Sequence, residues 1–280
     1  MSEFYNISFS SNNIICLLIT AVLLILVPVA FWFIWHRKHK GQIKFKYLIA
    51  GAIGFIVSAR VLELGVHLVC IVFDNPISRF INGNTAAYVL YGCIMAGVFE
   101  ECGRHVILKY IVKKDLTREN AVLYGIGHGG IEVLTVVLPV IALEAVIAIL
   151  FSSGDIPAAL SALNITEETA AAALPTVTAA SEFGVEMMIV FVLERIITMC
   201  VHIGLTVIVF YGAVEKRKRF LFLAIALHAI VDSFAALYQR AVISIWVCEI
   251  WAVLWAAVIV FIAVKLYKKV QRTKKDTTQK

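Results

Sequence analysis

The chain has 280 residues, of which 61% are hydrophobic and 16% charged, and its mean hydropathy is +0.90. That apolar content is too high for a water-soluble domain of this length and indicates a polytopic membrane protein. The formal charge of +6 does not point to nucleic acid, because Lys and Arg fall in short blocks between apolar runs rather than along one face.

Met1 to Asn13 carry no basic segment, and no small-residue cleavage site follows the first apolar run, which therefore reads as a retained span rather than a signal peptide. Crossing ~30 Å of hydrocarbon takes about 20 helical residues. Seven runs meet that length, at 14–35, 47–73, 86–110, 120–151, 184–211, 220–238 and 241–266. Pro139 predicts a kink or split in the fourth. The connections 36–46, 109–118, 216–219 and 265–280 hold 20 Lys and Arg, whereas the opposite side holds only Arg79 and Arg240. By the positive-inside rule the N-terminus faces out and the C-terminus faces the cytoplasm.

The expected architecture is an all-α transmembrane bundle of about seven spans: one integral domain over 1–280, a catalytic core at 86–238, and a disordered basic tail at 268–280. It is a multi-pass protein of the cell membrane. The longest connection, 152–182, is expected outside, with one short amphipathic helix at 165–173 capped by Thr166. The six cysteines fall in apolar runs without paired spacing, which argues against a disulfide framework or a zinc ribbon.

Ionisable groups inside spans are costly, so each marks a candidate functional site. Glu100 and Arg104 are four apart and share a helical face, with Glu101 turned about 100 degrees away, next to His105. Two neighbouring carboxylates in low dielectric cannot hold charge equally well, which suits one of them to carry a proton. His128 and Glu132 lie one turn apart in a run that includes Gly125, Gly127, Gly129 and Gly130, where either a neighbouring helix or a substrate backbone can come close. Glu194 and Arg195 precede His202, and His228 stands one turn before Asp232. That last spacing suits two ligands of one metal, or a carboxylate orienting an imidazole. Arg60, Glu63 and His67 form a separate stripe that reads as an internal ion pair.

Depth links the four clusters. Glu101 lies 8 residues before Lys109, His128 lies 8 after Asn120, His202 lies 9 before Tyr211, and His228 lies 8 after Phe220. At 1.5 Å per residue, each is roughly 12 to 14 Å from the cytoplasmic end of its helix. Helices of alternating direction thus bring acids and imidazoles to one level, in a cavity expected to open toward the cytoplasmic half.

The set Glu100-Glu101-x-x-Arg104, Gly127-His128-Gly129-Gly130-x-Glu132, Glu194-Arg195 with His202, and His228-x-x-x-Asp232 resembles the YhfC family of intramembrane proteases. That family is similar to PrsW and, more distantly, to the CAAX prenyl endopeptidases and bacteriocin-processing enzymes. The resemblance implies hydrolysis of a peptide bond in a membrane-associated peptide or protein, with the lipid bilayer as the other partner.

Two mechanisms suit the residues. In a glutamate mechanism, favoured on the sequence, Glu101 activates water and returns the proton, Glu100 pairs with Arg104, His202 and His228 stabilise the oxyanion, and Asp232 fixes the tautomer of His228; no cofactor is required. In the alternative, His128, His202 and His228, with Glu132 or Asp232, hold zinc. A His-Glu-x-x-His segment is absent. Other classes remain open: a proton-coupled transporter, or a non-catalytic membrane partner whose polar groups cement the bundle.

Overall fold

The long apolar runs satisfy their backbone polar groups internally, which lipid demands, and they do so as helices. A computed structural model describes the backbone of residues 1–113 and 116–278 and the side chains of 1–113 and 116–270. In chain order the helices are α1 (Ser11–Lys38), α2 (Lys46–Val72), α3 (Pro76–Gly83), α4 (Thr85–Val106, prolonged by a wide turn over Ile107–Ile111), α5 (Arg118–Phe151), α6 (Ile156–Ala162), α7 (Ala170–Glu182), α8 (Val185–Val214), α9 (Arg219–Gln239) and α10 (Ile245–Thr278). No strand occurs among the described residues.

Six of these, α1, α2, α5, α8, α9 and the part of α10 up to Val270, are long and apolar enough to cross a membrane. The remaining expected span, 86–110, falls on α4, whose second half holds Glu100, Glu101 and Arg104 and so lowers its apolarity. The expected interruption of α5 occurs at Val133–Val137, where wide turns join Arg118–Glu132 to Leu138–Phe151. Pro139 has no N–H to give to the preceding turn, and a widened turn is the usual accommodation. The helical backbone of α10 continues to Thr278, so the stretch expected to be a disordered tail from 268 starts as helix. Lys, Gln and Arg are good helix formers and propagate a helix already nucleated upstream. Residues 279–280 of that expected tail lie outside the described ones.

The connection 152–182 differs from expectation. Asp155 caps α6, its Oδ1 accepting from the Ala158 N–H at 3.0 Å, and α7 starts only at Ala170. Residues 165–169 form a turn in which Thr169 Oγ1 accepts from the Thr166 N–H at 2.9 Å. The sequence signal was present: Asp155 two residues before Pro157 is a stronger start than Thr166, and the alanine run carries α7 through Pro175. A similar Asn-Pro signal was overlooked at α3, where Asn75 Oδ1 accepts from the N–H groups of Ile77 and Ser78 at 2.9 and 3.1 Å.

The chain forms two compact units. The first, Met1–Val29 with Val133–Arg195, has a core that includes Leu17, Leu24, Ile141, Ala148 and Phe183, and a second cluster around Phe4, Phe151, Leu160 and Val177. The Asn13 amide donates to the carbonyls of Ser181 and Phe183 at 2.8 and 3.1 Å, tying the start of α1 to the end of α7. The second unit, Ala30–Glu132 with Ile196–Lys280, is built around Val201, Leu205, Ile208 and Val209 of α8, packed with Leu108, Tyr124, Leu227 and Ile259. Within it α2 lies along α5, and α4 along α9.

Candidate catalytic site

Small residues set how closely the helices of the second unit approach. A Cβ at Gly97 of α4 would stand 2.8 Å from the Ile225 carbonyl oxygen of α9, one turn before the carboxylates. A Cβ at Gly127 of α5 would overlap the Leu48 carbonyl of α2, and Cβ atoms at Gly125 and Gly129 would come within 2.8 to 3.3 Å of Ile203, His202 and Met199 on α8. Neighbouring helices therefore fill the space at these three glycines, which corrects the option that they leave room for substrate. Close approach is what brings short imidazoles from different helices into bonding range of α4.

All eight candidate residues lie in the second unit, on four helices: Glu100, Glu101 and Arg104 on α4, His128 and Glu132 on α5, His202 on α8, His228 and Asp232 on α9. They form one connected network. Arg104 Nη1 donates to Glu101 Oε1 at 2.5 Å, and the same oxygen lies 2.8 Å from His228 Nδ1. Glu100 Oε2 is 2.9 Å from His128 Nε2 and 3.8 Å from His202 Nδ1. Arg104 Nη2 reaches 3.2 Å from His202 Nδ1, while His202 Nε2 contacts the Glu132 carboxylate. His228 Nε2 closes the set at 3.3 Å from Asp232 Oδ2. Glu101, Arg104 and His128 are fully enclosed; Asp232, with a third of its side chain exposed, is the open edge.

Two pairings differ from the spacing argument. Arg104 binds Glu101, three residues back, rather than Glu100, from which its Nη2 stands 3.9 Å away. Helical spacing permits both, and the imidazole of His128 from α5 takes Glu100 instead. The group with metal-ligand geometry is also not the expected trio of histidines. It is Glu100, His128 and His202, whose donor atoms lie within 4.8 Å of one another, while His228 turns its two nitrogens to Glu101 and Asp232. Glu194 and Arg195 pair with each other.

A cavity of about 310 Å³ adjoins Asp232 and is lined from α2, α4 and α9 by residues that include Glu63, His67, Tyr88, Tyr91 and Gln239. It extends toward the helix ends at Val72, Thr85 and Gln239, opposite the basic blocks, and not toward the end where the opening was expected. In the Arg60 stripe, Glu63 pairs with His67 at 3.2 Å and Arg60 is exposed. Tyr91, whose hydroxyl lies 2.8 Å from His67 Nδ1, escaped the sequence reading because a single tyrosine in a span carries no spacing signal.

With this geometry in place, comparison with known proteins identifies the lineage. The chain is 29% identical over 235 residues to the uncharacterized membrane protein YhfC of Bacillus subtilis (strain 168), covering 84% of this chain and 88% of that protein. No solved structure matches. The family model described as YhfC intramembrane metalloprotease matches residues 23–252, a segment that contains every residue of the network, and the chain belongs to that family.

Proposed function

We propose that the protein is an endopeptidase that cuts a peptide bond in a membrane-associated substrate at the Glu100–Asp232 network, with a divalent metal, zinc by its ligand chemistry, held by Glu100, His128 and His202. The observation that carries this reading is the convergence of acids and imidazoles from four helices into one buried, mutually bonded set.

The donor set fits such an ion once the Arg104 Nη2 contact to His202 Nδ1, 3.2 Å, gives way to it, because one lone pair cannot serve both. Two imidazole nitrogens and one carboxylate oxygen make a three-ligand group of the kind that leaves one position open for water. Tetrahedral zinc, with ligands ~2.0–2.1 Å away, spaces its donors by about 3.3 Å, between the 2.9 and 3.8 Å separations from Glu100 Oε2. The Glu132 carboxylate on the far nitrogen of His202 is the outer partner that fixes tautomer and raises ligand basicity. Bound there, the metal would polarise the scissile carbonyl and acidify a water. This reading, together with the family's description, replaces the metal-free preference drawn from the sequence.

The chain's own groups handle the proton. Glu101 Oε1 is held by Arg104 and His228, while Oε2 is buried without a hydrogen-bond partner among the described residues. A carboxylate anchored by one oxygen and bare at the other is arranged to accept a proton from water and return it to the leaving amine. His228 faces carboxylates with both nitrogens, so it can pass a proton from Glu101 to Asp232 at the open edge. Arg104 keeps a fixed positive charge beside the reacting oxygen.

Replacing Glu101 by Gln preserves shape and removes the base, so cleavage of a reporter peptide in proteoliposomes should fall by ~10² or more. Full activity in that variant overturns the role. The basic blocks support a cytoplasmic-half location with the N-terminus outside. Single cysteines at Ser153 and Lys218 should then label from opposite faces, and labelling from one face refutes it.

A further inference from the structure

Of the two carboxylates on the cavity beside Asp232, the cleavage mechanism uses Asp232 as a proton outlet and gives Glu63 no role. The cavity walls carry these two carboxylates and include no Lys or Arg among the described residues. Glu63 is buried and belongs to a short chain of contacts: Tyr91 Oη lies 2.8 Å from His67 Nδ1, and His67 Nε2 lies 3.2 Å from Glu63 Oε1. The two ring nitrogens of His67 thus bridge the tyrosine hydroxyl and the carboxylate. The rest of the wall includes small apolar residues, among them Ala96 and Ala235. A volume of about 310 Å³ is at the lower end of small-ligand sites, ~300–1,000 Å³.

We infer that this cavity is the pocket for a long cationic side chain, Lys or Arg, flanking the bond that is cut. The inference deepens the endopeptidase reading above and rests on it. A methylene stem suits the apolar part of the lining and a cationic head suits a cavity whose walls carry two carboxylates. At membrane depth such a head is expensive without counter-charge, so the two carboxylates select for it as well as accommodate it. Position ties the pocket to the chemistry. Asp232 lies 3.3 Å from His228, which lies 2.8 Å from Glu101, so a side chain held here belongs to a residue next to the reacting carbonyl.

The test reads binding as well as cutting. Fluorescent single-span polyleucine peptides carrying one Arg, Leu or Glu, walked through the central positions, are titrated into full-length protein in lipid vesicles. The best Arg peptide should bind about tenfold more tightly than its Leu and Glu counterparts, the worth of one charge-assisted pair. Glu63→Gln should bring Arg to within about twofold of Leu, and Glu63→Asp, which keeps the charge, should retain most of the preference. Equal binding of Arg and Leu at every position, an Arg advantage that survives Glu63→Gln in folded protein, or no binding by any peptide overturns the pocket. Arg-selective binding without cleavage keeps the pocket and removes the endopeptidase reading, whereas cleavage without Arg preference does the reverse.

Discussion

Two ionisable groups sit at membrane depth in the same unit and behave differently. Around Glu101 and Arg104, the carboxylates and imidazoles of the network face one another, and the central side chains are sealed from solvent. Around Glu63, the chain of contacts runs through His67, a third exposed, to Tyr91, and all three line a cavity. The first is a network whose members hold one another in fixed geometry, as a reacting centre requires. The second is the wall of a cavity. Burial alone does not separate them, since Glu63 is as buried as Glu100; what separates them is whether the immediate partners are also enclosed, as Arg104 and His228 are for Glu101 and His67 is not for Glu63.

Stability measurements sharpen this contrast. The largest effect is expected for Arg104→Leu, which leaves Glu101 in a sealed site with His228 as its only remaining named partner. Stripping one member from a buried ion pair costs about 3–5 kcal/mol, so the detergent melting temperature should fall steeply. An unchanged melt would show the network to be loosely held. An intermediate effect, about 1–3 kcal/mol, is expected for Gly127→Ala, whose added methyl meets the Leu48 carbonyl. Gly92→Ala on the cavity wall should melt like the wild type, because nothing stands within 4 Å of its Cβ position. Equal behaviour of the two alanine variants would contradict the packing. A small loss, about 1 kcal/mol, is expected for Glu63→Gln, which exchanges one hydrogen-bonded group for another of the same shape.

Much of the site was legible because helix geometry turns spacing into depth. Glu101, His128, His202 and His228 are unusual residues in apolar runs, and equal distances from the basic ends predicted that they would meet. Rotation about each helix axis was less legible. One-dimensional spacing allows Arg104 to reach either glutamate, and only the arrival of His128 and His228 from other helices decides between them. The cavity was not legible at all. Its residues come from three helices and are mostly ordinary for a membrane span, so they form a pocket only through packing. The short helices α3 and α6 were missed for a simpler reason, capping signals that were read past at Asn75 and Asp155.

We propose that the sealed network, and not the open wall, is the metal-dependent reacting centre. It is tested most directly by the zinc content of purified full-length protein, compared among the wild type, His128→Ala and Glu63→Gln after dialysis against limiting zinc. About one ion per chain is expected in the wild type and in Glu63→Gln, and a loss of most of it in His128→Ala, since three ligands are the fewest that hold a catalytic zinc. Zinc retained equally by all three proteins, or absent from the wild type, would contradict it.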